Sequence, residues 1–357
     1  MSTHGTDNHV IKIASNKETR VRAFMKEQQA GYGRLLLVRL LILSGLLVAA
    51  GFGQPSGAAA AQQRAITGEW RVDFDRGRPD LVSLTILWGD SFRGDGTRSD
   101  GPVALGELQG LTREQAFGQR QDVKFRIVRE AGTFECEGTF SGGRGSGGWR
   151  LVPDEGFIAA MRSRGYSLAS DKQIFESALF DVNLKALDAL NSLGYTGIPF
   201  DKLIETRIFD ITPELVEEMR AAGYSHPTLD ELVEVRIFKV DRKYIEEVRA
   251  LGFGHQPLRQ LIEMRSQGVT PGYVREMRAA GFNLSPQELV DFKVFGVTSG
   301  FIREVRDEGL SPVSPRQFVD LKIYKIDADF IRRVRAKGFT NVTVDQLVDM
   351  RVNGLVK

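Results

Sequence analysis

The chain has 357 residues, 42% hydrophobic and 26% charged, with a formal net charge of +2. That composition fits a folded protein of about two domains and excludes a chain too polar to bury a core. The positive charge sits at one end: residues 1–61 carry seven basic and three acidic side chains, 62–153 thirteen of each, and 154–357 carry 28 basic against 30 acidic. No segment beyond the leader has the basic excess of a nucleic-acid binder.

Residues 1–61 read as a leader. Arg34 and Arg39 precede the apolar run Leu40–Phe52, which is followed by Gly53-Gln54-Pro55-Ser56-Gly57 and the small run Ala58–Ala61. A charged n-region, a short apolar h-region and an Ala-x-Ala site make a secretory signal. The n-region is long when counted from Met1, and Met25 would open a signal of ordinary length. Leu35–Gly53, broken only by Arg39, also reads as an uncleaved anchor. Both readings place the remainder outside the cytoplasm, periplasmic or secreted, with a membrane contact only through an uncleaved leader.

Residues 62–153 are expected to form a small antiparallel β sandwich or barrel. Trp70, Val72 and Phe74 alternate with Arg71, Asp73 and Asp75, and Val82, Leu84, Ile86 and Trp88 alternate in the next run. Val123, Phe125 and Ile127 alternate with Lys124, Arg126 and Val128, with Phe134, Cys136, Trp149 and Leu151 continuing the pattern. Period-two alternation between turn-rich gaps predicts half-buried strands, and one short helix is expected near Thr112–Phe117. Gly142–Gly148 lacks the Gly-Lys-Ser/Thr ending of a phosphate loop and is read as a hairpin turn. Gly68-Glu69-Trp70 resembles the Gly-x-Trp of lipocalin-type barrels over those three residues. Cys136 is the single cysteine, which rules out an intramolecular disulfide and a cysteine-based metal site and reads as a buried structural thiol.

From residue 154 the chain repeats. Gly165, Gly194, Gly223, Gly252, Gly281, Gly309 and Gly338 recur at steps of 29, with one step of 28, a period that marks an α-solenoid. Each unit predicts two helices. The first, helix A, is opened by Asp154, Asn183, Thr212, Asp241, Thr270, Thr298 or Asp327, all able to cap a helix N-terminus, and ends at the recurrent glycine as its left-handed C′ residue. The second, helix B, is opened by Ser170, Thr228, Ser285, Ser314 or Thr343, with Pro199 and Pro257 in two registers. Apolar pairs such as Leu215-Val216 and Leu203-Ile204 mark the buried faces. Helices this short are marginal alone, so stacked hairpins must bury them against one another. The fold class expected is therefore α+β: a β domain, then seven helical hairpins over 154–357.

Units such as Leu261-Ile262-Glu263-Met264-Arg265 through Gly268-Val269-Thr270-Pro271-Gly272-Tyr273-Val274-Arg275-Glu276-Met277-Arg278 resemble short tandem repeats of exported bacterial proteins. Some of those trail antirepressor-type membrane metallopeptidases of the β-lactam-sensor kind. The resemblance covers 154–357 and does not extend to peptidase activity, because the zinc motif is absent from the sequence.

Two charged columns run through the units. Arg162, Arg220, Arg249, Arg278, Arg306 and Arg335 share one helix A position, with Asn191 as the exception, and helix B carries an acid-x-base pair from Glu205/Arg207 to Asp349/Arg351. Inter-repeat ion pairing and arginine stems over apolar surface account for them; an electrostatic stripe is the functional alternative. Where Glu217 and Glu246 stand early, Arg275, Arg303 and Arg332 stand late, and Arg333 replaces Glu218. Arg275, Arg278, Arg303, Arg306, Arg332, Arg333 and Arg335 are thus the candidate partner-binding residues. His226 and His255 lie in loops without a ligand cluster, and neither catalytic motif nor cofactor or metal site is legible. The function expected is an exported, non-enzymatic protein–protein scaffold; a ligand sensor using a Trp70, Trp88 or Trp149 pocket and an enzyme of unrecognised type are the alternatives.

Overall fold

The computed structural model describes residues 12–14, 65–74, 81–89 and 97–356. It divides into two units, Met1–Pro213 and Glu214–Lys357. The leader's apolar run lies outside the described residues, and no described helix is long and apolar enough to cross a membrane.

The first unit begins with one curled antiparallel sheet rather than the two facing layers of a sandwich. Its strands are β2 (Ile66–Phe74), β3 (Leu81–Trp88), β4 (Thr97–Ala104), β5 (Gln121–Arg129), β6 (Gly132–Ser141) and β7 (Arg144–Pro153), in the order β4-β3-β2-β7-β6-β5. A three-residue strand β1 (Lys12–Ala14) pairs parallel with β4. The sheet is a half-barrel: β4 and β5 do not pair, although Gln109 and Arg126 exchange backbone hydrogen bonds of 2.9 and 2.8 Å beyond β4. The short helix α1 (Arg113–Phe117) opens on a capping box made by Thr112 and Gln115, as the sequence predicts.

Alternation delivers the apolar side chains to one face, where Trp70, Val82, Phe125, Phe134, Cys136, Phe140 and Trp149 are all at most 3% exposed. Glycines elsewhere in the sheet make room for the two indoles. A Cβ on Gly138 would stand 2.7 Å from the Trp70 ring, and one on Gly68 only 2.5 Å from that of Trp149. Each indole N–H then reaches a carbonyl, Trp70 donating to Glu137 at 3.2 Å and Trp149 to Glu69 at 3.0 Å. The glycine-rich run is a turn only at Gly142 and Gly143, both at positive φ; its remainder is strand β7.

Helices α2 (Glu155–Ser163), α3 (Asp171–Leu179), α4 (Leu184–Ser192) and α5 (Phe200–Ile208) complete this unit. Phe175 of α3, fully buried, stacks on Trp149 at 5.3 Å and on Trp88 at 5.1 Å, so an aromatic ring from the helical part packs against the sheet. Glu130, in the β5–β6 turn, accepts from the backbone N–H of Leu184 at 3.0 Å and so supplements the cap of α4. Arg129 bonds Glu107 at 2.7 Å. The β domain and the first helices are joined by packing and hydrogen bonds, with no linker between them.

The second unit holds ten helices: α6 (Pro213–Ala221), α7 (Leu229–Phe238), α8 (Arg242–Val248), α9 (Leu258–Ser266), α10 (Pro271–Ala279), α11 (Pro286–Val294), α12 (Ser299–Asp307), α13 (Pro315–Ile323), α14 (Ala328–Ala336) and α15 (Val344–Val352). Alternate helices are neighbours: α7, α9, α11, α13 and α15 pack in succession, as do α8 and α10. Asp241, Thr270, Thr298 and Asp327 accept from the N–H three residues on. Thr228, Ser285, Ser314 and Thr343 close capping boxes. The expected apolar pairs of α6, α8, α10, α12 and α14 are all buried, whereas Val233, Val319 and Val348 are only half-buried.

Candidate interaction surface

From Arg249 onward the helix A arginines run to the preceding helix of their own kind, whereas Arg220 donates to the Ser225 carbonyl at 3.1 Å in its own unit. An α-helix leaves its last carbonyls without partners, and these arginines supply them. Arg249 donates to the Ala222 carbonyl at 3.2 Å, Arg278 to Leu251 at 2.6 Å and Arg306 to Ala280 at 2.7 Å, while Arg335 reaches the Glu308 carbonyl. The donor lies 26 or 27 residues beyond its acceptor each time. Arg278 also covers the Phe253 ring, and Arg306 that of Phe282. Three of the seven candidate residues, Arg278, Arg306 and Arg335, are therefore tied to the neighbouring hairpin.

The other four stand on the outer side of the same helices. Arg332 bridges Glu308 at 2.7 Å and Asp329 within its own helix, and these carboxylates raise the guanidinium's pKa. Arg333 lies over the Phe330 ring at 5.7 Å. Arg275 and Arg303 are both exposed, and neither has a hydrogen-bond or ion-pair partner among the described residues. The structure thus separates arginines that stitch hairpins together from an edge on α10 and α12 whose charge is uncommitted.

On helix B the bases point inward. Arg265 donates to the Phe238 carbonyl at 3.3 Å and Arg351 to that of Tyr324 at 3.2 Å, and Arg207 reaches Phe180 in the first unit. Arg265, Lys293, Lys322 and Arg351 lie over the rings of Tyr244, Tyr273, Phe301 and Phe330 at 4.7, 3.8, 3.9 and 5.0 Å. Their companions Glu263, Asp291, Asp320 and Asp349 sit two residues away, about 200° round the helix, too far to pair with them. None of these four acids makes an ion pair among the described residues. In these four units carbonyls and aromatic faces take the bases, while Glu263 accepts from Gln260 at 3.4 Å and Asp291 from Gln287 at 3.2 Å.

No group of three or more His, Cys, Asp or Glu able to hold a metal occurs among the described residues. His226 and His255 are exposed. His255 stacks on Tyr224 at 4.9 Å and lies 3.2 Å from an Arg249 nitrogen, contacts with the preceding turn that the sequence did not disclose. Burial pushes the Cys136 thiol up to about 12, so it stays protonated and a poor nucleophile at neutral pH. On the half-barrel's inner face Trp70 packs against Phe125 and Phe140, and Trp149 against Phe134 and Phe175. No protein-family model, no curated protein and no solved structure matches this chain.

Proposed function

We propose that this chain is an exported, non-enzymatic interaction protein in which a β domain leads a solenoid of seven 29-residue helical hairpins, and that a protein partner binds the outer edge of the late hairpins. The observation that supports this most directly is the split among the arginines. Arg278 and Arg306 are held by carbonyls, while Arg275 and Arg303, three residues before them, are exposed and uncommitted. Desolvating free guanidinium groups is worthwhile where a carboxylate surface meets them, because the planar fork binds carboxylate in two places. An acidic protein surface is the partner this edge fits.

Export rests on the leader, with processing near Ala60–Gln62. N-terminal sequencing of the native protein decides it: a sequence starting close to Gln62 is expected, and soluble cytoplasmic protein with an intact leader would remove the reading. For the binding edge, the full chain and its R275E/R303E variant are compared as bait on envelope fractions. Capture should fall at least about tenfold in the variant, since reversing a contact charge adds repulsion. Equal capture by both would place the recognition surface elsewhere.

A further inference from the structure

We infer that the chain also self-associates, the Arg275/Arg303 edge of one copy seating on an acid-and-aromatic row of a second. The inference rests on the reading of those arginines as a recognition edge and names a partner for it, the chain itself.

The receiving row lies on α11 and α13. Asp291 and Phe295 are four residues apart, as are Asp320 and Tyr324, so each pair shares a helix face. Phe295 and Tyr324 are 41% and 39% exposed, and Ile323 beside them 47%. Between the two helices runs a groove of about 300 Å³, with Asp291, Phe292, Arg316, Val319 and Asp320 among its walls. Asp320 makes no ion pair with Arg316 or any other described residue. The row is acidic because Lys293 and Lys322 are spent on the rings of Tyr273 and Phe301 on the far side, which leaves Arg316 as the single base against Glu288, Asp291 and Asp320 in the groove wall. The unit therefore carries surfaces of opposite sign: uncommitted arginines on helix A, and on helix B carboxylates that make no ion pair among the described residues, Asp291 accepting from the Gln287 amide at 3.2 Å, beside exposed aromatics.

The two surfaces fit each other in chemistry and spacing. A guanidinium can lie on an aromatic face and bond a carboxylate at its rim, which an ammonium does less well. Arg275 and Arg303 sit on successive A helices, and Asp291 and Asp320 on successive B helices. Each row advances by one hairpin step, so two arginines can meet two carboxylates in one register. The association inferred is head-to-tail, the arginine edge of each copy on the acid row of the next, which leaves one free face of each kind at the ends and does not close at a dimer.

Sedimentation velocity on the full chain tests this. At low salt the mass should rise with concentration past the dimer, and at about 1 M salt, where charges are screened within about 3 Å, it should return to monomer. R275Q/R303Q and D291N/D320N should each stay monomeric where the wild type associates, with unchanged circular dichroism melts. Their equimolar mixture should form a 1:1 complex and nothing larger, since each retains one intact face. A wild type that remains monomeric at low salt, variants that associate like it, or a mixture that fails to pair would each overturn the inference. Should D291N/D320N not fold, R275Q/R303Q alone still decides, by associating or not. A monomeric wild type that loses an envelope partner on R275Q/R303Q substitution would overturn self-association and leave the partner reading standing.

Discussion

The left-handed residues show which parts of a sequence speak and which stay silent. Six of the seven recurrent glycines ending helix A have φ between 86° and 102°, with Gly309 at 70°. Most of these lie beyond the left-handed well open to L-residues, which ends near +70°, so glycine is the only comfortable occupant and the period was legible. A second left-handed position follows helix B, at Asp181, Asp210, Lys239, Gly268, Gly296, Lys325 and Gly354. Its non-glycine members sit at φ 53–55°, inside the well, so residue identity drifts and the sequence hid it. Gly252→Val should therefore destabilise by more than about 1 kcal/mol, though nothing stands within 4 Å of its missing Cβ. Lys239→Gly should move stability by less than about 1 kcal/mol. Urea melts of both compare them, and equal effects would disconnect φ from the pattern. A second residue-scale expectation concerns alkali. Tyr244 donates to the Val269 carbonyl at 3.0 Å and Tyr273 to Val297 at 3.1 Å; burial pushes the Tyr244 phenol up to about 12 and raises that of Tyr273 too. Folded pKa values above the unfolded one mean this stabilisation is complete below about pH 10 and drains away as pH rises further. Melting temperature should hold up to about pH 10 and then fall, less steeply in Tyr244→Phe; a flat profile to pH 12 would argue against it.

At the scale of the element, caps and apolar pairs were readable because they act within one turn of chain, and the helices start where the sequence places them. The destinations of the arginines were not. A periodic arginine looks the same whether its guanidinium meets solvent or a carbonyl 27 residues back, and only the packing of alternate helices brings that carbonyl within reach. The two kinds differ by experiment. Arg306→Ala removes a charge-assisted bond at a helix C-terminus and should cost about 1 kcal/mol. Arg303→Ala, one turn earlier and free, should change stability by less than about 0.5 kcal/mol. Chemical denaturation of each single variant checks this, and equal losses would make both structural. Phe175 is the corresponding element of the first unit. Phe175→Ala leaves a void against Trp88 and Trp149 and should cost about 3–5 kcal/mol; near-UV circular dichroism should lose tryptophan signal, and a retained signal with a small loss would mean that the stack contributes little.

For the whole molecule, the carbonyl stitches share one direction. Ala222 is served by Arg249, Leu251 by Arg278, Ala280 by Arg306, Glu308 by Arg335 and Tyr324 by Arg351. The donor always comes later in the chain than the carbonyl it completes. A ribosome delivers residues in that same order, so each of these five carbonyls leaves the exit tunnel before the arginine that completes it, 26 or 27 residues later. For these five bonds, a chain halted partway lacks only the arginine that follows its newest carbonyl. In the hairpin of α14 and α15 the direction reverses: Lys337 donates to the Leu355 carbonyl at 3.2 Å from an earlier position, and Val352 and Leu355 are 63% exposed.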